Sequence, residues 1–280
     1  MSDIFNSFTK KKDFLVCIDS DGCAMDTMNS KHFYCFGPCM IEEWELTPWK
    51  DEVQKRWNEV NLYTMTRGIN RFKGLSMVLN EVNQKYKKIE GIEELSAWTN
   101  EAKELSNNSL IRKIKESDSA MLKQVLEWSI KVNQMVEKLP ESEKKPFGGV
   151  MEGLQAIHQK ADIAIVSSAN QDAIEKEWED HGLLQYTDIL LSQDCGSKAY
   201  CIERLLEKGY KKEKVLMIGD APGDRDAAGV NGVLYFPILV KKECDSWNRL
   251  LTESMEKFVS GSYQGAYQQA CIEEFEENLR

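Results

Sequence analysis

Two aspartates two residues apart, Asp19 and Asp21, stand directly after an uncharged run, Phe14-Leu15-Val16-Cys17-Ile18. That run is short, apolar and partly β-branched, so it reads as a buried strand of the parallel type. Carboxylates at alternate positions, where a strand gives way to a loop, can project toward the same side. One can then attack as a nucleophile while the other moves a proton. Gly22 follows, and Asp-Gly is equally a turn signal, so the tetrapeptide alone serves either a catalytic pair or a turn.

Three later loops carry comparable chemistry. Ile163-Ala164-Ile165-Val166 leads into Ser167-Ser168-Ala169-Asn170, where hydroxyls and backbone N–H groups at a helix start either bind an anion or cap the helix. Asp188-Ile189-Leu190-Leu191 is followed by Gly196-Ser197-Lys198, whose lysine either neutralises a phosphate oxygen or is solvated. Val215-Leu216-Met217-Ile218 leads into Gly219-Asp220-Ala221-Pro222-Gly223-Asp224. Carboxylates beside a strand end hold Mg²⁺, or else the segment is an Asp/Pro/Gly turn. In open α/β sheets, ligands bind outside the carboxyl ends of the strands, which is where all four loops fall.

The elements that must position these residues divide the chain into zones. From Pro146 onward, strands (163–166, 188–191, 215–218, 233–236) alternate with helical stretches, which predicts a parallel sheet with right-handed crossovers. The strand at 13–18 lies far ahead of these companions. Between them the chain is helical. Thr47-Pro48 resembles a capped helix start, ahead of Trp49, Val53, Trp57 and Val60 at helical spacing. Phe72 to Val82, Ile92 to Leu105 and Met121 to Val136 mark further helices, the last after Asp118 and Ser119 as caps. The expected organisation is an α/β core of residues 1–24 and 146–280, with a helical cap, 25–145, inserted into it. The core's last part, 240–280, is a helical extension. The crossings fall at Gly22 to Thr27 and at Pro146-Phe147-Gly148-Gly149, where glycines suit a hinge or a simple turn.

Composition limits the partners. The 280 residues carry 36 basic and 46 acidic side chains, a formal charge of −10. That balance argues against nucleic acid and against anionic membranes as partners. No stretch reaches the roughly 20 apolar residues a membrane span needs. The polar start, Met1 to Lys12, has no signal-peptide apolar region, so the expected location is cytoplasmic. The eight cysteines contain no Cys-x-x-Cys pair, and reduced, mostly buried thiols are expected. His32, Cys35 and Cys39 offer three loosely spaced metal ligands, one short of a structural zinc site.

Taken together, the four loops resemble the motifs of the haloacid dehalogenase superfamily, mostly phosphatases. Asp19 to Gly22, extended by Asp26-Thr27, resembles its first motif. Ser167 resembles the second, Lys198 the third, and Gly219, Asp220 and Asp224 the fourth. Pro146 to Val150 followed by Glu152-Gly153-Leu154 resembles the β-phosphoglucomutase-like branch. Ser20 departs from the pattern, which usually has an apolar residue there, and the tail beyond 240 lies outside it.

The resemblance implies a Rossmann-like parallel-sheet core with an all-α cap inserted after the first motif. It implies a Mg²⁺-dependent phosphatase acting on a small phosphorylated metabolite. Asp19 is then the nucleophile and Asp21 the proton donor and acceptor. Ser167, Ser168 and Lys198 bind the phosphoryl group. Mg²⁺ is held by Asp19, Asp21 through its backbone carbonyl, Asp220 and Asp224. Arg67 and Arg71 of the cap are candidates for a further substrate contact. A phosphomutase keeps the same motifs. A non-catalytic interaction protein on the same scaffold is the reading from another class, and the protein is expected to be a monomer or a homodimer.

Overall fold

The computed structural model describes residues 4–280; the first three residues of the polar N-terminal stretch lie outside them. The chain divides into two compact units. One runs up to Met28 and resumes at Glu141–Arg280, and the other is Asn29–Pro140.

The first unit is built on a five-stranded parallel sheet. Strands β1 (Phe14–Ile18), β4 (Ala161–Val166), β5 (Ile189–Leu191), β6 (Val215–Gly219) and β7 (Leu234–Pro237) lie in the order β5-β4-β1-β6-β7. Ile18 pairs with Ile165 of β4 on one side and with Ile218 of β6 on the other. The first strand in sequence is thus the central one, and the chain fills the sheet outward from it on both sides. That reversal of direction is the switch point at which α/β sheets open a crevice. Burial agrees: β4 is buried along its whole length and β1 after Phe14, as a sheet covered on both faces requires.

Two short strands, β2 (Met25–Asp26) and β3 (Lys145–Pro146), pair antiparallel, with Met25 opposite Pro146. The Phe147 N–H donates to the Ala24 carbonyl at 3.0 Å. This ribbon ties the outgoing and returning chain together inside the first unit. The division therefore falls after Met28 and before Glu141 rather than at 24/25 and 145/146, because those paired residues belong to the core.

The second unit is helical, with its own hydrophobic core. Phe36, Trp57, Trp128, Phe72 and Trp98 form a connected aromatic cluster with ring centroids 5.1–6.3 Å apart. Such pairs contribute about 0.5–1.5 kcal/mol each beyond area burial. Helices cover Lys50–Asn58, Arg71–Lys85, Ile92–Glu101, Asn107–Ser117 and Ala120–Glu137. Ser119 caps the last of these, its hydroxyl accepting from the Leu122 N–H at 3.1 Å, while Asp118 ends the preceding helix in a left-handed conformation. Thr47 makes no capping hydrogen bond. A 3₁₀ turn, Thr47–Trp49, comes first, because Pro48 can start a turn but the chain enters it from Leu46 rather than from a hydroxyl cap. Leu105 lies past the helix that its spacing placed it on, which stops at Glu101.

The tail beyond β7 is also helical, with Glu243–Arg249 running through a wide turn into Met255–Ser260, then Ala266–Asn278. It packs on the first unit's core through Trp247, Leu250, Met255, Phe258 and Tyr263.

Candidate active site

The site is built from strand ends. Asp19 follows β1 directly, and its backbone N–H donates to the Ile218 carbonyl of β6 at 3.0 Å. Asp220 follows β6. Asp224 lies in the first turn of the helix Pro222–Asn231. A side chain on Gly219 would overlap the Asp224 carboxyl group, so only glycine lets the helix fold back this tightly onto the strand end. Carboxylate oxygens of Asp19, Asp220 and Asp224 lie within 4.8 Å of one another, and all three residues are buried. Among the described residues this is the only such group of potential metal ligands.

Lys198 opens the helix Lys198–Leu206, which Ser197 caps by accepting from the Tyr200 N–H at 3.2 Å. Its ammonium bridges the cluster, 2.8 Å from Asp19 Oδ1 and 2.6 Å from Asp224 Oδ1. The second Asp224 oxygen accepts from the Ala221 N–H at 3.0 Å. Burial and the neighbouring Asp224 and Asp220 charges push the Asp19 carboxyl well above the usual carboxylate range, although Lys198 opposes them. Burial disfavours the Lys198 cation, but Asp19 and Asp224 outweigh it and hold its pKa above that of an ordinary lysine. Three acidic side chains and one ammonium thus share a buried space.

Asp21 is arranged differently. Its carboxylate accepts a hydrogen bond from the buried Thr27 hydroxyl. The intervening chain folds into a tight loop, in which the Ala24 and Met25 N–H groups donate to the Ser20 carbonyl at 2.9 and 2.8 Å. The Asp26-Thr27 extension of the first motif thus has a physical role, because Thr27 fixes the orientation of Asp21. Cys23, in the same loop, is no candidate nucleophile, because burial and the adjacent aspartates push its thiol far up.

Ser20 is fully buried, and its hydroxyl accepts from the Trp178 indole N–H at 2.9 Å. A partner for a buried donor is the reason a serine can replace an apolar residue here. Ser20→Ala is expected to lower stability by about 1–3 kcal/mol, because it leaves the indole N–H unsatisfied. Adding Trp178→Phe removes that donor, so the double variant should lose less than the sum of the singles in urea denaturation. Strict additivity would refute the coupling.

Ser167 is buried after β4, with its N–H on the Leu191 carbonyl (2.9 Å) and its Oγ accepting from the Ala169 N–H (3.2 Å). Ser168 is exposed. Asn170 caps the following helix. Arg67 and Arg71 belong to the second unit. Arg67 is buried, with Nη1 donating to the Leu62 carbonyl at 2.7 Å. Arg71 lies over the Phe36 ring at 5.0 Å and donates to Asn133 Oδ1 at 2.7 Å. Burial lowers its pKa to about 10. Neither is a solvated helix-end cation. His32, Cys35 and Cys39 do not form a metal-ligand group: His32 Nδ1 accepts from the Trp57 indole N–H at 3.0 Å, and the Cys39 thiol meets the Met135 thioether at 3.1 Å.

Residues that brace the site from a distance, Thr27 apart, leave no local trace in the sequence. Trp178 and Trp247 lie 158 and 224 residues along the chain from the loop positions they touch.

The family model of haloacid dehalogenase-like hydrolases matches residues 69–236, more than half of the chain, and the chain belongs to that family. The match takes in the loops of Ser167, Lys198 and Asp220. Asp19 lies outside it and is brought beside Asp220 and Lys198 by the sheet. Among solved structures, a haloacid dehalogenase-like family hydrolase from Xanthomonas campestris shares the fold at 12% identity and a TM-score of 0.50, over 92% of this chain and 99% of that one. A provisionally named phosphoglycolate phosphatase from Lactobacillus delbrueckii subsp. bulgaricus gives 16% identity and a TM-score of 0.51, over 81% and 86%. At such identities the likeness is one of fold. No curated protein matches the chain. No helix among the described residues is long and apolar enough to cross a membrane.

Proposed function

We propose that this hydrolase is a Mg²⁺-dependent phosphatase acting on a small phosphorylated metabolite through an aspartyl-phosphate on Asp19. The observation that carries this is the buried meeting of Asp19, Asp220 and Asp224 with Lys198 at the strand ends. The donor set suits a hard divalent cation: several carboxylate oxygens, no sulfur or imidazole, and surplus negative charge. Asp19, Asp220, Asp224 and the Asp21 carbonyl would hold it. When bound, Mg²⁺ supplies the positive charge that lets a carboxylate approach an anionic phosphoryl group.

The residues divide the chemistry. An oxygen of Asp19 attacks phosphorus, and the bond from phosphorus to the substrate oxygen breaks. Asp21, protonated and oriented by Thr27, gives its proton to that leaving oxygen. Asp21, now a carboxylate, takes a proton from a water that attacks phosphorus. Asp19 is regenerated and inorganic phosphate leaves. Lys198 and Ser167 donate to the phosphoryl oxygens as charge builds in the transition state. Burial keeps the nucleophile out of bulk water.

Phosphate release across a panel of phosphorylated metabolites, with Mg²⁺ and with EDTA, tests this. Release from at least one substrate, lost in EDTA and restored by Mg²⁺, is expected. No release from any substrate would leave the phosphatase proposal without support and favour an interaction role. Isomerisation of a sugar phosphate without net release would identify a phosphomutase instead.

A further inference from the structure

We infer that the C-terminal helical extension is part of the catalytic unit, with Trp247 and Tyr235 as positioning residues for the two loops that carry Asp21 and Asp220; this rests on the phosphatase reading of those loops. Trp247 is fully buried, and its indole N–H donates to the Cys23 carbonyl at 2.9 Å. Cys23 stands inside the tight loop between Asp21 and Thr27. The indole is seated against a helix that follows the return ribbon: a Cβ on Gly153 would lie 2.6 Å from its ring, so that helix approaches only because residue 153 has no side chain. An indole held this rigidly fixes its N–H, and with it the loop carbonyl that accepts it.

The second contact runs through the edge strand. An edge strand exposes unpaired backbone groups, and the extension covers those of β7 at Tyr235. Gln268 Oε1 accepts from the Tyr235 N–H at 3.0 Å, and the Tyr263 hydroxyl donates to the Tyr235 carbonyl at 2.8 Å. The Tyr235 side chain reaches back to the neighbouring strand β6, where its hydroxyl donates at 3.0 Å to the Gly219 carbonyl, which also accepts from the Ile238 N–H at 2.9 Å. Gly219 directly precedes Asp220. Each of two loops bearing acidic site residues therefore has a carbonyl held by a buried aromatic donor, one in the extension and one clamped by it. The extension also reaches the residue after Asp224, where Arg225 Nη1 donates to Glu276 Oε1 at 2.8 Å, whereas Asn278 Nδ2 donates to the Val240 carbonyl at 3.2 Å, away from both loops.

The full-length protein carrying Trp247→Phe or Tyr235→Phe, with Asn278→Ala as control, separates positioning from packing. With p-nitrophenyl phosphate as probe, Trp247→Phe and Tyr235→Phe are each expected to lower kcat about tenfold through misalignment while KM stays within about twofold. Asn278→Ala should leave both unchanged, whatever it does to thermal stability. Hydrogen exchange supplies a readout that needs no turnover. The Ala24 and Met25 amides should exchange about fivefold to tenfold faster in Trp247→Phe, and not in Asn278→Ala. Unchanged kcat and unchanged loop exchange in the folded variants would overturn the inference. If Trp247→Phe does not fold, Tyr235→Phe, which deletes a single hydroxyl, decides by its kcat. If the wild-type protein turns over no phosphate ester, the phosphatase proposal fails, and loop exchange alone decides whether the extension holds the loop.

Discussion

Asp19→Asn is expected to lower phosphate release by about four orders of magnitude or more, since it removes the bond-forming group of a covalent route. The substitution is nearly isosteric and keeps an oxygen for Lys198. The backbone N–H of residue 19 still reaches the Ile218 carbonyl. The fold should therefore survive, and stability should move the other way from activity. In metal-free protein the cluster buries three carboxylates against one ammonium. Uncompensated buried charge costs several kcal/mol. Replacing one carboxylate by an amide relieves part of that cost. Without metal, Asp19→Asn should thus melt at or above the wild-type temperature. The wild-type protein, in contrast, should gain about 2.7 kcal/mol from Mg²⁺ at a hundred times its dissociation constant, and the variant should gain clearly less. Thermal melts in EDTA and in Mg²⁺, run beside the kinetics, check both. Substantial phosphate release by Asp19→Asn would sink the nucleophile assignment.

The second large effect is expected at Lys198. Its ammonium is shared between Asp19 and the fully buried Asp224. Lys198→Met keeps the length and apolar stem and removes the charge. It leaves two buried carboxylates without their partner, a loss of about 3 kcal/mol in stability. It also removes a donor aimed at the phosphoryl group, worth about 10²–10³-fold in kcat/KM. Saturating Mg²⁺ should restore much of the stability, because a cation returns to the cluster, but not the lost donor. Urea unfolding with and without Mg²⁺, beside steady-state kinetics, separates the two losses. Unaltered stability in metal-free Lys198→Met would show that the ion pairs contribute nothing in solution.

Local chemistry alone marks much of the fold. The five sheet strands are legible because each is a short apolar run, and their boundaries fall within two residues of the observed ones. Arg71–Lys85 and Ala120–Glu137 are legible because their apolar stripes are long and periodic, the second with Ser119 as its cap. Asn107–Ser117 is not. It has only Leu110 fully buried, and its Ser106-Asn107-Asn108-Ser109 start resembles a loop. The helical stretch from Met28 to Glu43 is also hidden. Gly37-Pro38 signals a break, yet the proline falls in the first turn of a new helical segment, where its missing N–H costs least.

The sequence by itself determined which groups are candidates for chemistry: an acidic pair, hydroxyls, a lysine and a second acidic loop, each after a strand. Side-chain type and strand propensity are properties of a few adjacent residues, so they can be read locally. Only the tertiary structure decided which of these groups meet. Sheet order set β1 between β4 and β6, which drew Asp19 to Asp220, Asp224 and Lys198 and left Asp21 to Thr27. It also joined Ser20 to Trp178, and Cys23 to Trp247 across more than two hundred residues of chain. Hydrogen bonds act over about 3 Å, and no sequence spacing encodes which distant donor will arrive there; packing does.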